Sequence, residues 1–259
     1  MAQNERTKQE WSYFELQAYV GTTKHMGGAQ TTDALIDLCH IDADKSVLDA
    51  GCGAGATASA LAQQVGCAVM GVDLRESMVD LARERAVKEG IADHVEFRVA
   101  DACDLPFEDG QFDVVLSESV LTFVEDKQAA LDELARVTRQ DGYVGLNEEI
   151  WMQPPTAGMA EYARITWGIE TEIPGPDGWP AMMERAGLQE IASRQYQLDP
   201  RRESTQVARY GCRELYRMLF RTLRLYLRSS AFRAYMKARR MPPKGFFDYL
   251  GYGIYVGRK

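Results

Sequence analysis

Short apolar runs recur along this chain, and each is followed by a stretch whose apolar residues fall at helical spacing. Ser46–Asp49, Ala68–Val72, Val95–Ala100, Phe112–Leu116 and Tyr143–Asn147 read as strands. Between them, helical spacing runs from Ala56 to about Val65 and through LRESMVDLARERA after Asp73. It returns over Asp126–Thr138, where Ala130, Leu131, Leu134 and Val137 share one face. This alternation predicts an α/β fold around a parallel sheet, and FDVVL, apolar throughout, suits a strand buried on both faces. Upstream, Glu10–Val20 and Ala29–Cys39 predict two helices joined by GTTKHMGG. Downstream, Trp151–Gly178 shows no clear strand, Trp179–Ala186 predicts a helix closed by Gly187, and Leu188–Leu198 and Gly251–Val256 predict two more strands.

The predicted strand ends carry the chemistry. Asp49, Asp73, Asp101, Glu118 and Glu148 all fall at predicted carboxyl ends, where parallel sheets bind their ligands. Carboxylates gathered on one rim suit a cationic ligand. Gly51, Gly53 and Gly55 follow the first strand and lead into a helix, so backbone N–H groups can approach a ligand closely. Gly51-x-Gly53-x-x-Ala56 also fits the dinucleotide fingerprint. Asp49 argues against that reading, because a pyrophosphate there would lie near a like charge. Asp73, 20 residues after Gly53, is placed either to accept hydrogen bonds from ribose hydroxyls or to cap the helix that follows it, and both readings stand.

Charge adds one feature. The net charge is −8, but residues 201–247 hold 13 Lys/Arg against 2 Asp/Glu. An acidic body therefore carries one basic segment, which makes nucleic acid an unlikely partner. Within Ser204–Met241, Arg209, Arg213, Arg217, Arg221, Arg224 and Arg228 make one helical stripe, and Leu215, Leu219, Leu223 and Tyr226 another, before Pro242-Pro243 ends the helices. The segment Arg209–Arg240 suggests peripheral contact with an anionic membrane or a second subunit. The 5 cysteines are scattered, with no C-x-x-C pair, so no disulfide framework or metal site is expected and a cytoplasmic setting fits. The polar start, Met1–Glu10, does not read as a signal peptide.

The stretches VLDAGCGAGATASALA, GVDLRESMVDLAR, VADACDLPFEDGQFDVVLS and ALDELARVTRQDGYVGL resemble class I S-adenosylmethionine (SAM)-dependent methyltransferases, in particular the small-molecule branch near the ubiquinone and menaquinone enzymes. The resemblance covers about Lys45–Asn147. It implies a Rossmann-like seven-stranded sheet, order 3-2-1-4-5-7-6, with the last strand antiparallel. It implies SAM contacts at Asp49, Gly51, Cys52, Gly53, Asp73, Leu74, Met78, Asp101, Ala102 and Glu118. The whole chain, 1–259, then reads as one methyltransferase domain: cap helices over 1–44, a SAM-binding core over 45–150, a lid over 151–178 and a basic helical insert over 200–247 between strands six and seven.

This chain departs from many relatives after strand four, where Thr122-Phe123 stands in place of a histidine pair and removes a common candidate base. Glu118, Glu148 and His25 are the remaining candidates for catalysis, with Tyr13, Tyr19, Trp151 and Trp167 as candidate acceptor contacts. His25 also reads as a plain connector residue, and Trp151–Gly178 as an ordinary amphipathic packing element. The expected reaction is methyl transfer from SAM to a small molecule: an amine, a phenol or quinone, or a lipid. The rival is a non-catalytic SAM-binding subunit that docks a protein or membrane through its arginines.

Overall fold

The computed structural model describes residues 13–20, 25–199, 212–238 and 241–259. Arg209 and Arg240, which bound the basic segment, lie outside the described residues. The elements run α1 (Tyr13–Val20), α2 (Ala29–Leu38), β1 (Ser46–Ala50), α3 (Ala56–Gln64), β2 (Ala68–Asp73), α4 (Glu76–Glu89), β3 (Val95–Val99) and β4 (Phe112–Glu118). A 3-10 turn (Leu121–Phe123), α5 (Lys127–Val137), β5 (Thr138–Trp151), α6 (Ala157–Trp167), α7 (Gly178–Arg185) and β6 (Gln189–Gln197) follow. The chain closes with α8 (Cys212–Arg228), α9 (Ser230–Ala238), α10 (Phe246–Tyr249) and β7 (Leu250–Arg258).

The described strands form one sheet in the order β3-β2-β1-β4-β5-β7-β6, the order the resemblance implies. β1 to β5 pair in parallel, and β7 runs antiparallel between β5 and β6. Alternation along each strand sends neighbouring side chains to opposite faces. Leu48, Val115 and Leu146 thus join α5 and α7 on one face, while Val47, Val114 and Leu116 join α2, α3 and α4 on the other. All seven residues of β4 are buried, as its unbroken apolar core requires between two helical layers.

β5 corrects the reading of strand five. It does not end at Asn147 but continues through Trp151, because β7 pairs with it from Tyr143 to Trp151. Glu148 is therefore not at a strand end. It sits inside β5, opposite Gly253, fully buried. Its Oε1 accepts the N–H groups of Val120 and Leu121 (3.0 and 2.9 Å), and its Oε2 accepts the N–H and hydroxyl of Thr122 (3.0 and 2.8 Å). This carboxyl group fastens the 3-10 turn after β4 to the sheet. Burial, with Glu149 beside it, pushes its pKa up.

Much of the stretch 151–178 packs into the body of the fold. Trp151, Met159, Ala163 and Ile173 form a third apolar cluster with Phe246 and Leu250. The rings of Tyr162 and Trp167 lie 4.7 and 5.5 Å from that of Phe246. α6 is thus a packing element against α10 and the start of β7, which was the plainer of the two readings.

Replacing Glu148 with Ala leaves four donors without their acceptor, three of them backbone N–H groups. At about 1–3 kcal/mol per unsatisfied buried group, and less than additive, the variant is expected to lose about 3 kcal/mol or more in urea unfolding. Glu148→Gln, which keeps one carbonyl acceptor, is expected to lose less. A loss below about 0.5 kcal/mol for Glu148→Ala, the range of a neutral surface change, would contradict this role.

Candidate active site

The turn after β1 is built so that the chain hugs the sheet edge. Gly51 has φ +86°, and a Cβ there would run into the Val120 side chain. Gly55, at φ +73°, opens α3 where a Cβ would meet Ala82 and Phe97 at 3.0 Å. The first N–H groups of the turn are already used: Gly51 and Cys52 donate to the Val72 carbonyl (2.7 and 2.8 Å), and Gly53 donates to Asp73 Oδ2 (3.0 Å). Few are left to cradle a pyrophosphate, which weakens the dinucleotide reading on geometric grounds.

A cavity of about 510 Å³ opens at the carboxyl ends of β1, β2 and β4. Asp49, Gly51, Cys52, Gly53, Asp73, Leu74, Met78, Asp101, Ala102 and Glu118 all line it, and so does His25. Asp49 is 2% exposed, and its Oδ2 has no hydrogen-bond partner. Burial first, and then the charges of Glu118 and Asp73, push its pKa up to about 8 against the pull of the Ala58 N–H. Asp73 accepts from Gly53 and, through Oδ1, from the N–H of Arg75 (2.9 Å), so it braces two backbone segments at once. The helix cap proper is Arg75. Leu74, 65% exposed, sets an apolar side chain on the cavity wall beside it.

The second half of the site centres on Glu118, the last residue of β4. Its Oε1 accepts the hydroxyls of Thr32 (3.0 Å) and Thr57 (2.9 Å). Its Oε2 lies 3.3 Å from the Asn147 amide nitrogen and 3.2 Å from His25 Nδ1. The β4–β5 register pairs Glu118 with Asn147, so both side chains share one face, while Glu148, one residue on, points to the other. Asn147 Nδ2 also donates to the Met26 carbonyl (2.8 Å), and Ser119 Oγ accepts the Met26 N–H (3.2 Å). Ser119 adopts φ +55°, a conformation that favours glycine and is often found at functional sites. Sequence reasoning did not single out Thr32, Thr57, Ser119 or Asn147. Their role depends on register and on contacts across up to 122 positions, for which a short local pattern gives no sign.

The other candidates lie elsewhere. Glu148, Trp151 and Trp167 are not among the residues lining the cavity. Tyr13 and Tyr19 belong to α1, whose Gln17 does line it; Tyr19 is 37% exposed. Among the described residues no group of His, Cys, Asp and Glu is arranged to hold a metal.

The sequence matches the family described as "Methyltransferase domain" over residues 48–146. An uncharacterized protein of Haemophilus influenzae is 32% identical over 177 residues, 67% of this chain and 70% of that one. The 27-O-demethylrifamycin SV methyltransferase of Amycolatopsis mediterranei is 32% identical over 61% of this chain, and the match spans 59% of its own length. In solved structures, phosphoethanolamine N-methyltransferase 2 of Haemonchus contortus, in complex with SAM, superposes with a TM-score of 0.73 at 20% identity, over 97% of this chain and 58% of that one. The likeness to that structure concerns the fold. The sequence matches, the strand order and the acid-lined cavity after the glycine turn agree with one another: the chain belongs to the class I SAM-dependent methyltransferases.

Proposed function

We propose that this chain methylates a small molecule at an N–H or O–H group, with His25 as the proton acceptor and Glu118 as the residue that orients it. The observation that carries this reading is the His25–Glu118 pair, 3.2 Å apart on the wall of the same cavity that Asp49 and the glycine turn line. SAM, when bound, supplies a methyl group already activated by a sulfonium. The protein's share is then to hold the donor, align the acceptor within about 3–3.5 Å and remove a proton.

Each part has a candidate. Asp49, on the cavity wall, offers a carboxyl oxygen to a cationic or N–H-bearing part of the donor. Asp73 retains lone pairs for ribose hydroxyls beside its two N–H contacts, and Leu74 and Met78 offer an apolar surface to the adenine. Glu118, beside Nδ1, favours the His25 tautomer that carries its proton there, and Nε2, 3.5 Å from the Thr32 hydroxyl, is then the nitrogen that accepts a proton from the acceptor as its N or O bonds to the methyl. Solvent then takes that proton and resets the imidazole.

The lining bears on the acceptor. Asp49, Asp73, Asp101, Glu118, Glu125 and Asp126 face the cavity, against Arg75 as the one Lys or Arg side chain among the described residues. This supports an amine or a neutral phenol over a phosphate-bearing acceptor such as the phosphoethanolamine in the name of the nematode relative. No helix among the described residues is long and apolar enough to cross a membrane. Cys39, Cys52, Cys67 and Cys103 are free thiols, which supports a cytoplasmic setting. The segment Arg209–Arg240 stands apart from this chemistry as a contact surface, for an anionic membrane or a second subunit.

Incubating the protein with labelled SAM and pools of amines, phenols, quinones and lipids is expected to give transfer to an amine or hydroxyl pool. With that acceptor, His25→Gln is expected to lower kcat by about 10²–10⁴-fold while the Kd for SAM changes little. A His25→Gln enzyme with wild-type kcat would remove the proposed base.

A further inference from the structure

α8 is turned the wrong way round for a helix that merely packs on its own domain. Leu225 is buried, and Met218 and Thr222 are half-buried, so this side meets the protein. Tyr216, Leu219, Phe220, Leu223, Tyr226 and Leu227 are between 46% and 69% exposed. Their spacing of i, i+3, i+4, i+7, i+10 and i+11 gathers them on one face. Arg221, Arg224 and Arg228 form a ridge along one flank of that face, all exposed. Arg224 and Arg228 have no acidic partner among the described residues, and Lys237 on α9 is exposed as well. A contiguous exposed apolar face rimmed by charge marks an interaction surface.

We propose that this face lies in the interfacial layer of an anionic lipid bilayer and brings the cavity to an amphiphilic acceptor held there. Three observations select the bilayer. α8 and α9 hold seven Lys/Arg against one Glu while the chain as a whole is acidic, so an anionic surface attracts these helices and repels the body. Six apolar residues on one helix fall well short of the roughly 20–30 residues a side that a stable protein interface uses. Antiparallel two-fold pairing of α8 with its own copy would set the arginine ridge against itself. An interfacial helix needs only the apolar face in the acyl boundary and the arginines at the headgroups.

The acceptor part rests on the methyl-transfer reading and on one further contact. α8 packs against α1, where Arg221 Nη1 lies 3.5 Å from the Tyr19 carbonyl oxygen, and Gln17 of α1 lines the cavity. The membrane face and the cavity rim are thus neighbours through a single short helix. An acceptor with an apolar tail and an amine or hydroxyl head could leave the bilayer at that rim.

The full chain is sedimented with vesicles of phosphatidylcholine alone or with 30% phosphatidylglycerol in roughly equal-sized preparations, at low and high salt. The expected result is pelleting with the anionic vesicles only, reduced by high salt. Arg224→Ala with Arg228→Ala is expected to weaken binding roughly fivefold per arginine, and Leu219→Glu with Leu223→Glu to abolish it. SAM binding by the Leu219→Glu/Leu223→Glu variant is expected to match the wild type and serves as the folding control. No pelleting, equal pelleting with both vesicle types, or pelleting of the Leu219→Glu/Leu223→Glu variant would overturn the surface. So would a concentration-dependent dimer that these two changes dissolve, since a second copy would then cover the face. Faster methylation of the lipid pool in anionic than in neutral vesicles supports the acceptor part, and equal rates overturn it. Vesicle binding with no transfer to any pool would instead sink the methyl-transfer proposal and leave the surface standing.

Discussion

Two carboxyl groups that share a nearly dry wall set the terms for this structure. Asp49, next to last in β1, and Glu118, last in β4, sit on neighbouring strands, and both are buried at the cavity. A buried carboxylate is costly unless it is paired or hydrogen-bonded. Glu118 meets that demand within the protein, through two threonine hydroxyls, an asparagine amide and an imidazole. Asp49 does not: one of its oxygens is left with no partner, and its pKa rises in consequence. Asp49 lines the cavity with this demand unmet, and the reading proposed above has a positively charged donor meet it. The glycine turn serves the same end, because it keeps side chains out of the way and spends its N–H groups on Val72 and Asp73 rather than on a phosphate.

Glu148 shows how the same residue type takes the opposite part. It too is buried at the top of the sheet, yet four donors fill its oxygens and none of its surface reaches the cavity. What separates it from Glu118 is one residue of alternation: Asn147 pairs with Glu118 across β4 and β5, and the next side chain must face the other way. Through the 3-10 turn it holds, Glu148 also positions Val120 and Phe123 on the cavity wall. It shapes the site without touching what the site binds.

The alternation of strands and helices and the acids at or just past the first strands were legible because they rest on local pattern, apolar runs, glycines and the acids that follow them, whereas the strand order came only from the family resemblance. The end of β5 was not, since Glu148-Glu149 looks like a polar terminus and only pairing with β7 carries the strand to Trp151. The helix at Ala29 was legible, but not that its Thr31 and Thr32 serve His25 and Glu118. His25 was visible as a residue in a glycine-rich loop, but its partner lies 93 positions on, and no local spacing ties the two. The aromatic stretch after Trp151 offered two readings, and α6 packs against Phe246 as the plainer one expects. The arginine stripe was plain in the sequence. That the apolar stripe beside it faces outward is a property of how α8 sits on the fold, which only the structure shows.

The central claim is that Asp49 awaits a cation, and proton linkage tests it without reference to the acceptor. Its pKa of about 8 means the group is mostly protonated at pH 7 in the free protein, and binding a positively charged donor must drive the proton off. Calorimetric titration of SAM at pH 7, in two buffers of different ionisation enthalpy, is expected to show release of about one proton, absent in Asp49→Asn. Binding by the wild-type protein with no proton exchanged would contradict the account.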